Sequence, residues 1–331
     1  MAEERACGYS GSATTSFVHS LLLPNQMLES LPTELSLDIL QLAAETFVIT
    51  DRSNATSLAT TSRNIYNLIK PILYRRAVVT RKNIKSFESM TQNLALCGLI
   101  RELTITWPDW EPDDHTVVAF TALWSLSGIK HRVSHVFSRL PLDVRSSITR
   151  VGLWNMAMPD AIPPAVTHVC LYLEDFDDVL VLDGFREWIG AASTLTHLGL
   201  EIISHREHML SGNSPAEFLR ELARELAEFL KTHGNGVQQL AIRVGGWMAC
   251  NQESWTMFHD SIRSGAGDRP VDARIRIWRD CRTIHDYEED TKASVDDAFS
   301  GVDIWTESSA FDECSTTKPI DLVPIFEQMS T

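Results

Sequence analysis

A short pattern of apolar residues, spaced apolar-x-x-apolar-x-apolar, recurs along the chain and constrains its fold more than any other feature. Each copy alternates core-facing and outward-facing positions, which is typical of a β-strand with one buried face. Five copies occur, at Ile100-Leu103-Ile105, Ile148-Val151-Leu153, Val166-Val169-Leu171, Leu195-Leu198-Leu200 and Val237-Leu240-Ile242. A weaker sixth copy, Asp272-Ile275-Ile277, has a polar first position and is predicted to be a terminal strand.

Amphipathic helical patterns lie between these strands. The clearest begins at Ser214, where Pro215 and Glu217 are typical of a helix N-terminus, and ends near Gly234. Other helices are predicted at Ile84–Leu96, Val117–Leu140, Phe185–Ala192 and Ser254–Ile262. Strands that alternate with helices form parallel β–α units, so the sequence predicts an α/β fold with a mostly parallel sheet.

The strand pattern resembles that of leucine-rich repeats, but its spacing is irregular. Successive first positions are separated by 48, 18, 29, 42 and 35 residues. Regular leucine-rich repeats also place Asn or Cys three positions after the last strand leucine. Here those positions hold Pro108, Met156, Glu174, Ile203 and Gly245. We therefore expect an irregular solenoid of short parallel strands backed by helices; an open doubly wound α/β sheet is the alternative.

A separate helical pattern precedes the strands. Pro32 suits the first turn of a helix, and Leu35, Ile39 and Leu42 recur at i, i+4 and i+7. Other apolar residues lie off this stripe, so one face of the helix is expected to need a partner beyond its own core. A second helix is predicted from about Ser57 to Leu68, ending near Pro71. The stretch Glu45–Asn54 between them is predicted to be a loop.

The run Leu31-Pro32-Thr33-Glu34-Leu35 and the segment around Ser62-Arg63 and Tyr66 resemble the F-box. The run Ile69-Lys70-Pro71-Ile72-Leu73-Tyr74-Arg75 is similar to that of F-box-like proteins common in mushroom-forming fungi. The likeness covers Leu31 to about Tyr74. It implies that the module docks onto the small adaptor that links F-box proteins to a cullin ubiquitin-ligase scaffold. The residues that this resemblance assigns to adaptor binding are Leu31, Pro32, Leu35, Ile39, Leu40, Leu58 and Ile65.

Four regions follow from these patterns. Residues 1–30 are predicted to be disordered, 31–80 to form the F-box-like helical module, 81–285 the irregular leucine-rich-repeat-like α/β domain, and 286–331 an acidic C-terminal segment. The stretch from Asp286 to Glu313 contains ten carboxylates and one basic residue, Lys292, which gives it a net charge of −9. This run lacks the spacing of a calcium-binding loop and is interpreted as a solvated acidic face or a patch for a basic partner.

Composition narrows the classes of partner. The formal charge of −15 argues against nonspecific binding to nucleic acid or anionic membrane, because those polyanions reward Lys and Arg. Six widely spaced cysteines without a C-x-x-C pair are typical of reduced thiols in an intracellular protein. The apolar run Phe17–Leu23 has no basic flank and is too short to span a bilayer. We predict a cytoplasmic or nuclear protein without a targeting signal or membrane span.

The outward-facing side chains of the predicted strands form the expected recognition face for a target protein. Tryptophans lie at or just beyond several strand ends, where they are favoured in binding hot spots. The predicted target-binding residues are Trp107, Trp154, Tyr172, Glu201, Arg243 and Trp247.

Signatures of enzymes and metal sites are missing from the sequence. The common phosphate-binding, dinucleotide-binding, hydrolase and zinc-protease motifs do not occur. His205 and His208 lack a third ligand at a suggestive spacing, and Asp113 is interpreted as the N-terminal cap of a helix. We predict no cofactor and no metal.

Three hypotheses about function remain. The first is a non-enzymatic ubiquitin-ligase adaptor that binds a target through its α/β domain. The second is a ligase-independent interaction scaffold, in which the F-box-like helices only cap the repeat domain. The third, an enzyme, would need Asp113, His115, Glu201 and His205 in one deep pocket.

Overall fold

The computed structural model describes residues 31–50, 52–154, 165–173, 194–204, 226, 228, 230–231, 236–246, 249, 251–265, 271–281, 297 and 303–311. The chain divides into two compact units between Leu73 and Tyr74. The first unit is helical. The second is mixed α/β, as predicted, and β1, which the sequence boundaries placed in the helical module, belongs to it.

The described part of the first unit, from residue 31 onward, contains three helices: α1 (Thr33–Thr50), α2 (Arg52–Thr60) and α3 (Arg63–Leu73). Ser62 supports the start of α3, where its side chain accepts a hydrogen bond from the Ile65 backbone N–H at 3.2 Å. The core of the unit is small, with Ala44, Ala59 and Ile69 at its centre. A core of this size buries little apolar surface and leaves much of the helices exposed.

Two predictions for this unit are wrong. The expected loop Glu45–Asn54 is mostly helical, since α1 continues to Thr50 and α2 begins at Arg52; Val48 and Ala55 are buried. The expected second helix is divided between α2 and α3, and Pro71 lies inside α3 instead of ending it. Because proline has no N–H, α3 lacks the hydrogen bond that residue 71 would otherwise donate to the Asn67 carbonyl, and the helix ends two residues later at Leu73.

The second unit is built on a nine-stranded sheet, and the described residues of the whole chain hold ten helices. The strands are β1 (Arg76–Val79), β2 (Glu102–Ile105), β3 (Ser125–Ile129), β4 (Arg150–Trp154), β5 (His168–Leu173), β6 (His197–Ser204), β7 (Gln239–Gly245), β8 (Ile275–Arg279) and β9 (Ser309–Ala310). The helices of this unit are α4 (Ile84–Thr91), α5 (Leu94–Cys97), α6 (Asp114–Val118), α7 (Lys130–Arg139), α8 (Leu142–Ser147), α9 (Gln252–Gly265) and α10 (Ile304–Glu307).

The strands lie in the sheet in the order in which they occur in the chain. Each of β1 to β8 is parallel to the next, and only β9 pairs antiparallel, with β8. A doubly wound sheet reverses its direction of progression near the middle and places helices on both faces. The observed order has no such reversal, so that alternative is wrong.

One face of the sheet forms the core with helices α4 to α9. The register aligns two apolar rows across the strands, so that Leu103, Val169 and Leu240 belong to one row and Ile105, Leu171 and Ile242 to the other. Both rows belong to one cluster of buried residues with helix side chains such as Val136 and Phe258. The predicted sixth strand is confirmed as β8, but it is not the terminal strand, because β9 pairs with it at the edge of the sheet.

The predicted helix Val117–Leu140 is wrong, because it contains strand β3. The sequence Leu123-x-x-Leu126-x-Gly128 has glycine at the third apolar position, so the pattern is hidden. Gly128 has φ of 127°, and a Cβ there would lie 2.0 Å from the Ile105 carbonyl oxygen. The large first interval of 48 residues thus divides into 23 (100 to 123) and 25 (123 to 148).

Other predicted helices are shorter, displaced or not described. Ile84–Leu96 is interrupted between α4 and α5, and Ser254–Ile262 lies within α9. Phe185–Ala192 and most of the helix predicted after Ser214 lie outside the described residues, although Leu226 and Leu230 are described and buried in the core. Within the described part of the chain, none of the helices has the length and apolarity needed to cross a bilayer.

Candidate functional site

The face of the sheet opposite the core, here called the polar face, presents three rows of side chains. The first row consists of Arg76, Glu102, Ser125, Arg150, His168, His197 and Gln239. The central row consists of Val78, Thr104, Ser127, Gly152, Cys170, Gly199, Ala241 and Arg276. The third row contains Tyr172, Glu201, Arg243 and Trp278. Small residues fill most of the central row, so it forms a furrow between two rows of larger ones.

A groove of about 380 Å³ follows this furrow. Thr104, Ser127 and Gly152 lie on its floor. Trp154 and Tyr172 line one side, with their rings 5.9 Å apart, and Asp303 and Trp305 belong to its lining near β4 to β6. The volume lies within the range usual for sites that bind small molecules or short segments of chain.

Arginines dominate the β1 to β4 end of the groove. Arg75 and Arg76 share the carboxylate of Glu102, with one Nε to each oxygen at 3.1 and 2.9 Å. Arg150 pairs with Asp303 at 2.5 Å, and its guanidinium lies 5.1 Å from the centre of the Trp124 ring. Three cations therefore face two anions at this end, in a chain that is strongly acidic as a whole.

A buried ionic cluster lies at the other end of the groove. Arg243, only 2 % exposed, pairs with Glu201 at 2.9 Å, Asp280 at 2.7 Å and Asp297 at 2.9 Å, and its guanidinium lies 4.4 Å from the centre of the Trp278 ring. Burial by itself would lower the pKa of Arg243, but the three carboxylates together raise it. The Arg243 cluster is thus a fixed structural ion network.

Two further side chains lie between these ends. The Cys170 thiol donates to the Glu201 carboxylate at 3.5 Å, and burial together with that negative charge raises the pKa of Cys170 well above its usual value. Such a thiol is protonated and a poor nucleophile. Tyr172 is 6 % exposed, lines the groove, and its buried hydroxyl has no hydrogen-bond partner among the described residues. A buried hydroxyl without a partner is costly.

Residues 303–311, here called the C-terminal strap, cross the polar face beside the groove. Asp303 pairs with Arg150 and caps α10, and the Trp305 indole packs over Gly199, where an added Cβ would lie 2.9 Å from the ring. Gln239 donates to the Trp305 carbonyl at 3.3 Å. Beyond Trp305, β9 pairs with β8, and Phe311 joins the core.

The strap corrects the interpretation of the acidic C-terminal segment. Asp297 and Asp303, expected on a solvated face or in a patch for a basic partner, pair with Arg243 and Arg150 of the same chain. Farther along the same segment, β9 pairs with β8 of the sheet. Residues 312–331 and 1–30 lie outside the described part of the chain.

His168 and His197 stack at 4.1 Å, and both meet the edge of the Trp305 ring. Burial and the positive charges of His197 and Arg150 lower the pKa of His168 to about 4. Burial and Arg150 also lower the pKa of His197, while Asp303 opposes that shift. The folded protein therefore favours the neutral His168, whereas the unfolded chain takes up a proton near the ordinary pKa of about 6.5.

The lowered pKa of His168 predicts that the protein loses stability in mild acid. The unfolded state binds the proton at a higher pH than the folded state does. The stability that neutral His168 contributes is therefore complete above pH about 6.5 and is lost as the pH falls towards about 4. Allowing for solvent screening of a half-exposed group, His168 is expected to contribute about 1 to 2 kcal/mol to that loss. Urea denaturation should show a smaller decrease in the free energy of unfolding, between pH about 6.5 and about 4, for His168→Gln than for wild type. His115→Gln, at an exposed position, should show the same decrease as wild type. An unchanged drop in His168→Gln would contradict the assignment.

The structure brings together most, but not all, of the predicted target-binding residues. Trp154, Tyr172, Glu201 and Arg243 all line the groove. Trp107 follows β2 and packs against the core, with Arg81 over its ring at 5.4 Å, so it anchors a loop there. Trp247 lies outside the described residues.

Several groove residues were missing from the predicted set. The arginines Arg75, Arg76 and Arg150, together with Trp305, line the groove although none was predicted. Arg150 precedes the apolar Val151 of its strand pattern, so alternation alone indicates its outward direction. No local signal in the sequence indicates that Trp305 returns to the sheet.

The predicted adaptor-binding residues are distributed over the helical unit. On α1, Leu35 and Ile39 are 50 % and 40 % exposed, and Leu42, on the same stripe, is 65 % exposed. Leu31 and Leu40 are half-buried and Pro32 is exposed. Leu58 and Ile65 pack against the core of the unit, which suits a supporting position.

The residues of the enzyme hypothesis are not assembled into one pocket. Asp113 caps α6, accepting a hydrogen bond from the Thr116 N–H at 2.7 Å as predicted, and neither it nor the exposed His115 lines the groove that holds Glu201. Hydrogen bonds from the Thr116 side chain and from its backbone N–H lower the pKa of Asp113. His205 lies outside the described residues, which themselves hold no His, Cys, Asp and Glu group suited to a metal.

Comparison with known proteins adds no relative. No model of a protein family matches the chain, and neither a curated protein nor a solved structure is similar to it.

Proposed function

We propose that this protein is a substrate-recruiting adaptor of a cullin-based ubiquitin ligase. The helical unit would bind the adaptor that links F-box proteins to the cullin, and the polar face of the sheet would bind a target protein. Ubiquitin transfer would be carried out by other subunits, so this chain supplies proximity rather than chemistry.

The observation that carries the proposal is the apolar stripe of α1. Leu35, Ile39 and Leu42 lie at i, i+4 and i+7 and remain between 40 % and 65 % exposed. Leu37, off the stripe, is also exposed. Large apolar side chains exposed together on one helix indicate an interaction site, because their transfer from water into an interface with a partner is favourable. Two members of the stripe, Leu35 and Ile39, are also positions that the F-box resemblance assigns to docking.

The arrangement of the sheet supports the second half of the proposal. Parallel strands in chain order, with α4 to α9 packed on one face, are what an irregular leucine-rich-repeat-like domain requires. Among the described residues, the connecting helices α4 to α9 belong to the core face, and the groove lies on the opposite face. Recognition on the strand face is the general use of such arrays.

Binding of the cullin-linking adaptor tests this proposal. We expect the full chain to co-purify with the adaptor of its host, and Leu35→Asp to weaken that binding at least about thirtyfold, because a charge replaces a desolvated apolar contact. Leu142→Asp is the matched control, since Leu142 on α8 is 76 % exposed and outside the stripe. It should bind as wild type does, and circular dichroism should show both variants folded.

Two outcomes would contradict the ligase role. If wild type fails to bind the adaptor, a ligase-independent interaction scaffold becomes the better hypothesis. If Leu35→Asp and Leu142→Asp both bind normally, the α1 stripe is not the docking surface.

A further inference from the structure

We propose that the open part of the groove, from β1 to β5, binds an extended segment of a target polypeptide through its carboxylate side chains. The inference rests on the proposed function in taking the ligand to be a polypeptide. It adds the chemistry of the segment, its length and the residues that recognise it.

The positive charge of the arginines that line the groove favours an acidic ligand. Glu102 is shared by Arg75 and Arg76, and each guanidinium uses only its Nε in that pairing. The terminal nitrogens of both side chains have no partner among the described residues, although both side chains line the groove. Arg150 likewise donates only one of its nitrogens, to Asp303. Unused guanidinium donors that converge on a groove favour a carboxylate, which accepts two parallel hydrogen bonds from one guanidinium.

The strap supplies the second argument, because it shows how this face binds a segment of chain. Its Asp303 carboxylate meets the Arg150 guanidinium, and its Trp305 indole lies in the furrow over Gly199. The strap occupies the furrow at β6, and the groove continues from there towards β1. The part of the groove that the strap does not cover repeats the same elements: arginines in the first row and small residues in the central row.

The Tyr172 hydroxyl is the third argument, and it is independent of the other two. It is buried on the side of the groove without a hydrogen-bond partner among the described residues. The contact between the rings of Tyr172 and Trp154 does not involve the hydroxyl, so packing alone does not account for it. A ligand group that reaches it would satisfy it, so the tyrosine is explained by binding rather than by folding.

Geometry sets the length of the segment. From Arg76 on β1 to Tyr172 on β5 the groove crosses four strand spacings, or about 19 Å at about 4.8 Å each. An extended chain rises about 3.3 Å per residue, so the groove accommodates about six residues. The carboxylate would lie at the arginine end and a polar group near Tyr172.

Oriented peptide pools test the inference directly. Three fluorescein-labelled pools of ten-residue peptides would be identical except for a fixed pair, Glu-Glu, Gln-Gln or Lys-Lys, and binding of the full chain would be followed by fluorescence anisotropy. We expect the Glu-Glu pool to bind at least about tenfold more tightly than the Gln-Gln pool, and the difference to shrink at high salt. Equal binding of the three pools would overturn the proposal.

Three variants place the binding in the groove. Arg75→Glu, at a half-exposed side chain, should abolish the preference for the Glu-Glu pool, whereas Arg63→Glu, at an exposed position in the helical unit, should retain it. Tyr172→Phe should weaken binding several-fold without lowering the urea midpoint, because it removes an unpaired buried hydroxyl. Acidic peptides that bind Arg75→Glu as tightly as wild type, or a Tyr172→Phe variant that is destabilised but binds normally, would contradict the assignment.

Failure of this inference is distinguishable from failure of the ligase role. Adaptor binding is measured with Leu35→Asp in the helical unit, and peptide selection with Arg75→Glu in the α/β unit. A chain that selects acidic peptides without binding the adaptor would keep the groove and overturn the ligase. A chain that binds the adaptor without selecting acidic peptides would support the ligase role and overturn the groove assignment.

Discussion

Arg243→Ala is expected to destabilise the protein by about 3 to 5 kcal/mol, because truncation of one member of a buried ionic cluster leaves its partners charged and unpaired. Glu201, Asp280 and Asp297 all lie within 2.9 Å of the guanidinium, which is almost fully buried. The free energy of unfolding from urea denaturation is the measurement.

Arg139→Ala is the matched control for this prediction. Arg139 pairs with Asp114 at 3.1 Å, but both side chains are largely exposed, and an exposed pair contributes less than about 1 kcal/mol. If Arg243→Ala costs no more than Arg139→Ala, the cluster does not hold the sheet together.

Gly128→Ala is expected to cost about 3 kcal/mol or more, or to prevent folding. Its φ of 127° is a conformation that residues with a Cβ rarely adopt, and the new Cβ would lie 2.0 Å from the Ile105 oxygen. The neighbouring atom belongs to the backbone of β2, which is paired with β3, so relief would require the sheet to open. Soluble yield and the urea midpoint are the measurements.

Gly236→Ala separates this effect from the general cost of replacing glycine. A Cβ there would meet the Leu195 oxygen at 3.4 Å, which is ordinary contact. The change should shift the free energy of unfolding by less than about 1 kcal/mol, in either direction. A Gly128→Ala variant as stable as Gly236→Ala would show that β2 and β3 separate more readily than their pairing indicates.

The strands illustrate how far local pattern can predict this fold. Five patterns and a weaker sixth correspond to β2 and β4 to β8, because a strand with one buried face alternates its side chains whatever lies around it. Strand β3 was missed, since glycine replaces the third apolar residue at Gly128. That glycine is required by the close approach of Ile105 across the sheet, which no local window contains.

The candidate site was predictable only in part, for a similar reason. Alternation along each strand indicates that Tyr172, Glu201 and Arg243 point away from the core, and all three line the groove. The register that brings Arg76 and Arg150 into the same row depends on how successive strands pair. The pairing of Asp297 and Asp303 with arginines of the sheet has no local signal, because those partners are remote in sequence.

The sequence by itself determined the class of the second unit, the direction of its strand side chains and the apolar stripe of α1, because each depends on spacings of a few residues. The tertiary structure alone decided the order of the strands, the position of the strap and the ionic pairs of the groove. Arg243 and Asp280 are 37 residues apart, and Arg150 and Asp303 are 153 apart. Contacts over such separations form only when the whole chain has folded, so no local pattern encodes them.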